Sequence, residues 1–151
     1  VSPSAGAARP FGFADDAIDM ATTRARVVAR MAPSVYVAHA VLELMLGLVK
    51  LRGTYGELKE YTLPPASAKF CRHHGVCLLA LALLGAECVR RGLVGTPAGA
   101  LCSLALCFFH AGAVAVMAFD MHIKAILLHA PFAVAFGLHA WTAPWSELKG
   151  A

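Results

Sequence analysis

Seven histidines and nine acidic residues are distributed through a 151-residue chain that is 59% apolar, and several of them fall inside long apolar runs. His39, Glu43 and Lys50 are spaced by four and seven residues, with Gly47 between them, so a helix places all three on one stripe. Glu43 lies near the middle of the run 33–51. An ionised carboxylate at that depth in a bilayer costs about 2.5–3.5 kcal/mol on insertion scales, so it must face other helices, carry a proton or find a partner. His39, one turn away, is the nearest candidate. Glu87, three and four residues before Arg90 and Arg91, reads as a member of an ion pair at the membrane edge. Counted along an up-down bundle, Glu43, Glu87 and His139 nevertheless fall in the same half. His39, Glu43, Glu87 and His139 therefore form a candidate polar intramembrane cluster, suited to a proton relay or a quinone pocket. Its plainer alternative is a polar contact that fixes helix packing.

A second group lies toward the other membrane face. His110 and His129 reach comparable depth on antiparallel neighbours, the arrangement a bis-histidine haem requires. One such histidine would also suit a chlorophyll magnesium, and an interhelical hydrogen bond needs no cofactor. His122 shares a helix face with His129, while His73 and His74 belong at a membrane edge. Haem, chlorophyll and quinone are thus the cofactors to test, and none is required. Ser34, Ser67, Ser103 and Ser146 show no obvious His/Asp partnership, and phosphate loops and Cys-x-x-Cys are absent. Neither a catalytic residue nor a metal site is assigned, and an enzyme is not expected.

The elements that must position these residues follow from composition. Soluble domains average about 45–50% apolar and about 25% charged residues, whereas only 15% are charged here. That excludes a disordered chain and argues against a soluble enzyme. The net charge of +4 comes from 13 basic residues scattered at the ends of apolar runs, with no basic run longer than Arg90-Arg91. A nucleic-acid binder gathers its cations on one face; cations flanking membrane spans look like these. Five cysteines without zinc-site spacing read as small packing residues.

Residues 1–12 are rich in Pro, Gly, Ala and Ser and suit an extended surface arm. The start at Val1 and this composition suit a trimmed organelle-import presequence. Residues 15–31 read as an amphipathic helix, with Asp15, Asp16 and Asp19 in its first turn and Arg24, Arg26 and Arg30 toward its end. It would lie in the headgroup region or on a partner protein. Four apolar runs follow, at 33–51, 73–89, 98–119 and 124–142, each near the ~20 residues that cross about 30 Å of hydrocarbon. A polar segment, 52–72, separates the first two and is broken at Pro64-Pro65. Because backbone polar groups in lipid must be satisfied internally, the expectation is an all-α, four-transmembrane-helix up-down bundle with an N-terminal amphipathic interfacial helix. The divisions are 1–32 for arm and amphipathic helix, 33–143 for the membrane domain and 144–151 for the tail. Trp141 and Trp145 suit an interfacial anchor.

Orientation is not set by the cations. Arg9, Arg24, Arg26, Arg30, Arg90, Arg91 and Lys149 fall on one side, and Lys50, Arg52, Lys59, Lys69, Arg72 and Lys124 on the other. Gly47, Gly85, Gly99, Ser103, Ala111, Gly112, Ala115, Ala133 and Gly137 are small residues where helices would meet.

Gly47-Leu48-Val49-Lys50-Leu51, the following Leu63-Pro64, Gly75 and Gly85 in the second span and Gly95-Thr96-Pro97 occur in the order seen in the DoxX-like family, which residues 42–115 resemble. The resemblance implies a small four-helix membrane bundle, and some relatives are linked to quinone-coupled redox chemistry. The chain departs from that family at Cys77, Leu78 and Leu79, where a glutamate is frequent.

The expected function is a non-catalytic accessory subunit of a larger organellar energy-transducing complex (respiratory, ATP synthase or photosynthetic), with partner membrane subunits and lipids or pigments as neighbours. The base rate of small helical subunits puts the mitochondrial inner membrane ahead of the thylakoid. The competing readings are a haem- or quinone-binding electron-transfer protein and a small transporter with Glu43 facing a wet cavity.

Overall fold

The structure, a computed structural model, describes residues 13–52, 65–119, 121–143 and 145, with side chains at 22–52, 67–119, 121–143 and 145. The arm 1–12, the larger part of the polar segment and the tail except Trp145 lie outside the described residues. Those described fold into four helices: α1 (Phe13–Leu51), α2 (Pro65–Arg90), α3 (Pro97–Phe119) and α4 (Ile123–Thr142). Each contains a segment long and apolar enough to cross a membrane, with mean hydropathy from 1.3 to 2.0.

The ends of these helices are written in their sequences. Pro65 opens α2, a position where its missing N–H costs nothing. Gly92, at φ 66°, closes it. The Gly92 N–H donates to the Val89 carbonyl and the Leu93 N–H to the Cys88 carbonyl, so the last orphan carbonyls of α2 are satisfied by a Schellman turn. Thr96 then caps α3, its Oγ1 accepting from the Gly99 N–H at 3.3 Å, and Pro97 takes the first helical position. The turn from α3 to α4 repeats the same bonds, His122 N–H to Met117 O and Met121 N–H to Ala118 O. Here Met121, at φ 55°, occupies the left-handed position that glycine fills in the first turn. Met121→Gly is therefore expected to raise the thermal unfolding temperature in detergent, by up to about 1 kcal/mol of stability, because it removes the Cβ penalty of that conformation.

The amphipathic helix and the first span are not two elements. α1 runs unbroken for 39 residues through Pro33. The proline removes one backbone donor, but its ring projects on an exposed face, and spanning helices tolerate such a gap. At 1.5 Å per residue the helix is ~58 Å long, so it extends well beyond a hydrocarbon layer of about 30 Å.

Heptad-like stripes bring the helices together. The buried positions of α1 are Ala32, Tyr36, His39, Glu43 and Gly47, and those of α2 are Cys71, Gly75, Leu78, Ala82, Gly85 and Cys88. α1 packs on α2, α3 packs on α4, and α1 also packs on α4, whereas α2 and α3 barely touch. α1 and α3 face each other across the diagonal. The α1–α2 crossing is set by glycine: a Cβ on Gly75 would lie 2.9 Å from the Gly47 carbonyl oxygen and 3.0 Å from the Leu51 nitrogen. No disulfide joins the five cysteines, and Cys71, Cys88 and Cys102 fill buried small-residue positions.

The distribution of polarity is the reverse of a water-soluble bundle. His39, Glu43, Ser103, His110 and His139 are buried, while Phe108, Phe119 and Trp141 are more than 80% exposed. Large apolar surfaces on every helix with polar groups sequestered inside suit hydrocarbon as the surrounding solvent. The chain is an integral membrane protein.

Candidate functional site

The buried polar side chains form two layers along the bundle axis. In the first, the Tyr36 hydroxyl from α1 lies 2.8 Å from the Gly99 carbonyl oxygen and donates to it, and it lies 2.7 Å from Ser103 Oγ, both on α3. Since the Tyr36 proton is committed to Gly99, Ser103 donates to Tyr36 or to His139 Nδ1 of α4, which is 2.7 Å from its Oγ. The network ties three helices together. Phe136 packs edge-on against the Tyr36 ring, with centroids 5.1 Å apart. Ser103 and His139 are the hydroxyl–imidazole pair that a nucleophile needs, but Ser103 is fully buried and shared with Tyr36, so the pair acts as a latch.

The second layer is His39, Glu43 and His110. All three are completely buried. Glu43 Oε1 lies 3.6 Å from His39 Nε2 and 3.9 Å from His110 Nε2. Both separations are too long for hydrogen bonds, and both Glu43 oxygens, both His39 nitrogens and His110 Nε2 lack a hydrogen-bond partner. One nitrogen of His110 is satisfied: its Nδ1 lies 2.9 Å from His129 Nδ1. Phe132 stacks on the His110 ring at 5.2 Å, and Phe136 stands edge-on to His39 at 5.1 Å, so aromatic carbon walls the cluster. Lys50, His74 and His129 lie within electrostatic reach of one another, and Lys50 also reaches Glu43.

This arrangement redraws the two clusters expected from sequence. His39 and Glu43 belong with His110 and His129, not with Glu87 and His139. The reason is depth counted from the membrane face where α1 and α3 end. Glu43 lies eight residues before Leu51 and His110 nine before Phe119, so the two match in depth, whereas Glu87 lies three residues before the end of α2 at the opposite face. Glu87 is at the rim, where its carboxylate accepts from Arg90 Nε at 2.7 Å and Arg91 Nε at 2.8 Å. His139 joins the Tyr36–Ser103 layer. A quinone pocket built from all four expected residues is therefore not formed.

A tetrapyrrole does not fit between His110 and His129 either. Their ring centroids are 5.1 Å apart, with nitrogen directly on nitrogen, and an axial pair must leave room for a macrocycle and its iron. His122 is exposed at the start of α4, and His73 and His74 are exposed on α2. Glu43 lines neither the groove between α1 and α4 nor the furrow between α1 and α2. Trp145 closes α4 from outside, its indole N–H donating to the Ala140 carbonyl at 2.8 Å, while Trp141 projects outward.

Tyr36, which the sequence does not mark as an anomaly in its apolar run, belongs to the first polar layer. Its signal was its place on the stripe of His39 and Glu43, three and seven residues away. Ser103 and His139 were also separable from the start by depth, being six residues into α3 and three from the end of α4.

Fold and site together define a class: an integral membrane four-helix bundle with a sealed polar core. No family model, curated protein or solved structure matches the chain, so the site is read from its own geometry.

Proposed function

We propose that the chain is a non-catalytic accessory subunit of a larger energy-transducing membrane assembly of an organelle, the mitochondrial inner membrane ahead of the thylakoid. It holds partner helices and lipid in place. The observation that carries this reading is the outer face of α3. Ala105, Ala111, Gly112 and Ala115 are all exposed, and nothing lies within 4 Å of the position a Gly112 side chain would take. Phe108 and Phe119 project from the same face, so the small residues form notches between aromatic knobs, a surface on which a second helix can pack closely. α2 and α3 touch only sparsely, so α3 is covered mainly by α4 within the chain.

Lipid has its own place. An apolar furrow of about 570 Å³ between α1 and α2, lined by Val41, Leu44 and Leu83 among others, ends at Arg90. That gradient from carbon to cation suits an acyl chain and its headgroup.

Native mass spectrometry of the chain extracted in mild detergent tests the reading. The expected result is a mass well above 15.9 kDa, lost in Gly112→Leu while the helical circular dichroism is kept. A chain that runs alone from its native membrane overturns it.

A further inference from the structure

We infer that His39, Glu43 and His110 are the ligands of one first-row transition-metal dication, of the Zn²⁺ or Fe²⁺ kind, held at the centre of the bundle. The site is intrinsic to the chain and does not rest on the subunit reading.

Three observations carry it. The donor set is two imidazoles and one carboxylate, each fully buried, with their ligand atoms all within 4.8 Å of one another. Two imidazoles and a carboxylate are the ligand set of open zinc and non-haem iron centres, while magnesium and calcium prefer oxygen alone. Second, the spacing fits an ion and not a proton. Arms of about 2.0–2.2 Å meeting near the tetrahedral angle separate their ends by roughly 3.3–3.6 Å. Of the two separations from Glu43 Oε1, 3.6 Å is already in this range and 3.9 Å needs a small contraction, and the two imidazole ligand atoms, within 4.8 Å of each other, close onto the ion with them. As hydrogen bonds they are too long, so a proton on Glu43 leaves both imidazoles unanswered. An ion engages His39 Nε2, Glu43 Oε1 and His110 Nε2 together, three of the five atoms now without a partner.

The third observation is the outer partner. A ligating histidine characteristically directs its other ring nitrogen to a second group that fixes its tautomer. His110 Nδ1 meets His129 Nδ1 at 2.9 Å, and an Nδ1–H donated there leaves the His110 Nε2 lone pair aimed at the cluster. His129 is a positioning residue in this account. Lys50 lies within electrostatic reach of Glu43, His74 and His129.

Because the site is sealed, the ion enters while the helices assemble. The test therefore uses the full chain produced in medium supplemented with Co²⁺, a visible-absorbing probe of such sites, and purified in mild detergent. Metal content and the ligand-field spectrum are both read. The Cys77→Ser background removes the exposed thiol that picks up stray metal. About one Co²⁺ per chain is expected. Occupancy should fall at least tenfold in Glu43→Gln and His110→Ala, and the band should shift or weaken in His129→Phe. His139→Ala, in the other polar layer, should keep full occupancy. A parent chain with less than a tenth of an equivalent overturns the site, and that measurement needs no variant to fold. So does Co²⁺ retained by Glu43→Gln, a substitution of nearly the same shape, in protein whose helical dichroism is intact.

Discussion

Leucine in place of Gly75 is expected to separate α1 from α2 and to remove most of the folded protein from a detergent extract. The position has no slack. Even a bare Cβ would meet the Gly47 carbonyl oxygen at 2.9 Å, the Leu51 nitrogen at 3.0 Å and Lys50 Cβ at 3.2 Å. Two of these three neighbours are backbone, so no rotamer change relieves the contact. Overpacking in a core usually costs about 1–3 kcal/mol, and a branched side chain forced between two backbones belongs at or beyond the top of that range. The loss should extend past the local contact, since dispersion between closely approaching backbones is the main attraction between helices in lipid. Gly75→Ala separates the two scales: it should lower stability while leaving a folded species, and Gly75→Leu should not. Size-exclusion profiles and thermal unfolding in one detergent decide. A Gly75→Leu protein that elutes and melts like the parent would show that the α1–α2 crossing is not held by close approach.

Tyr36→Ala is expected to have an effect of similar size by the opposite route, a void with broken hydrogen bonds. Tyr36 is completely buried, bonds Gly99 and Ser103, and packs edge-on against Phe136. Truncating a buried aromatic side chain to alanine costs about 3–5 kcal/mol. Tyr36→Phe isolates the polar part. It keeps the ring and leaves the Gly99 carbonyl without its donor, for which about 1–3 kcal/mol is the usual penalty. Combining Tyr36→Phe with Ser103→Ala should cost less than the sum of the two, because both act on one network. Unfolding free energies of the four proteins in a double-mutant cycle check this. Strict additivity would mean that the hydroxyl pair is not energetically connected.

The spans were legible because hydropathy reports the solvent directly. The limits of α3 and α4 came within one residue, since Thr96-Pro97 spells a helix start and the turn before it contains Gly92. Pro33 misled because proline stops helices in water, while a spanning helix keeps its direction through one missing donor. The grouping of Glu43 with Glu87 and His139 has a different source: Glu43 falls within one residue of the midpoint of 33–51, where a small miscount changes the half to which it is assigned. The residues of the polar core were nearly all visible as anomalies in apolar runs. Their grouping was not, because it depends on the register of one helix against another. Register is fixed here by Gly47 and Gly75, whose role emerges only when two backbones are seen to touch.

The division of the bundle into two hairpins has a consequence for biogenesis. α1 with α2, and α3 with α4, each share an extensive seam, while the halves are joined by the α1–α4 contact and by side chains reaching across the diagonal. During N-to-C insertion the leading pair reaches the bilayer before its acceptors on the trailing pair have entered it. Its glutamate and histidine must then wait inside the insertion machinery or beside a chaperone until the second pair arrives. Closure of the polar core is in this sense a late checkpoint of maturation, and chains stalled before it should be those that membrane quality control removes.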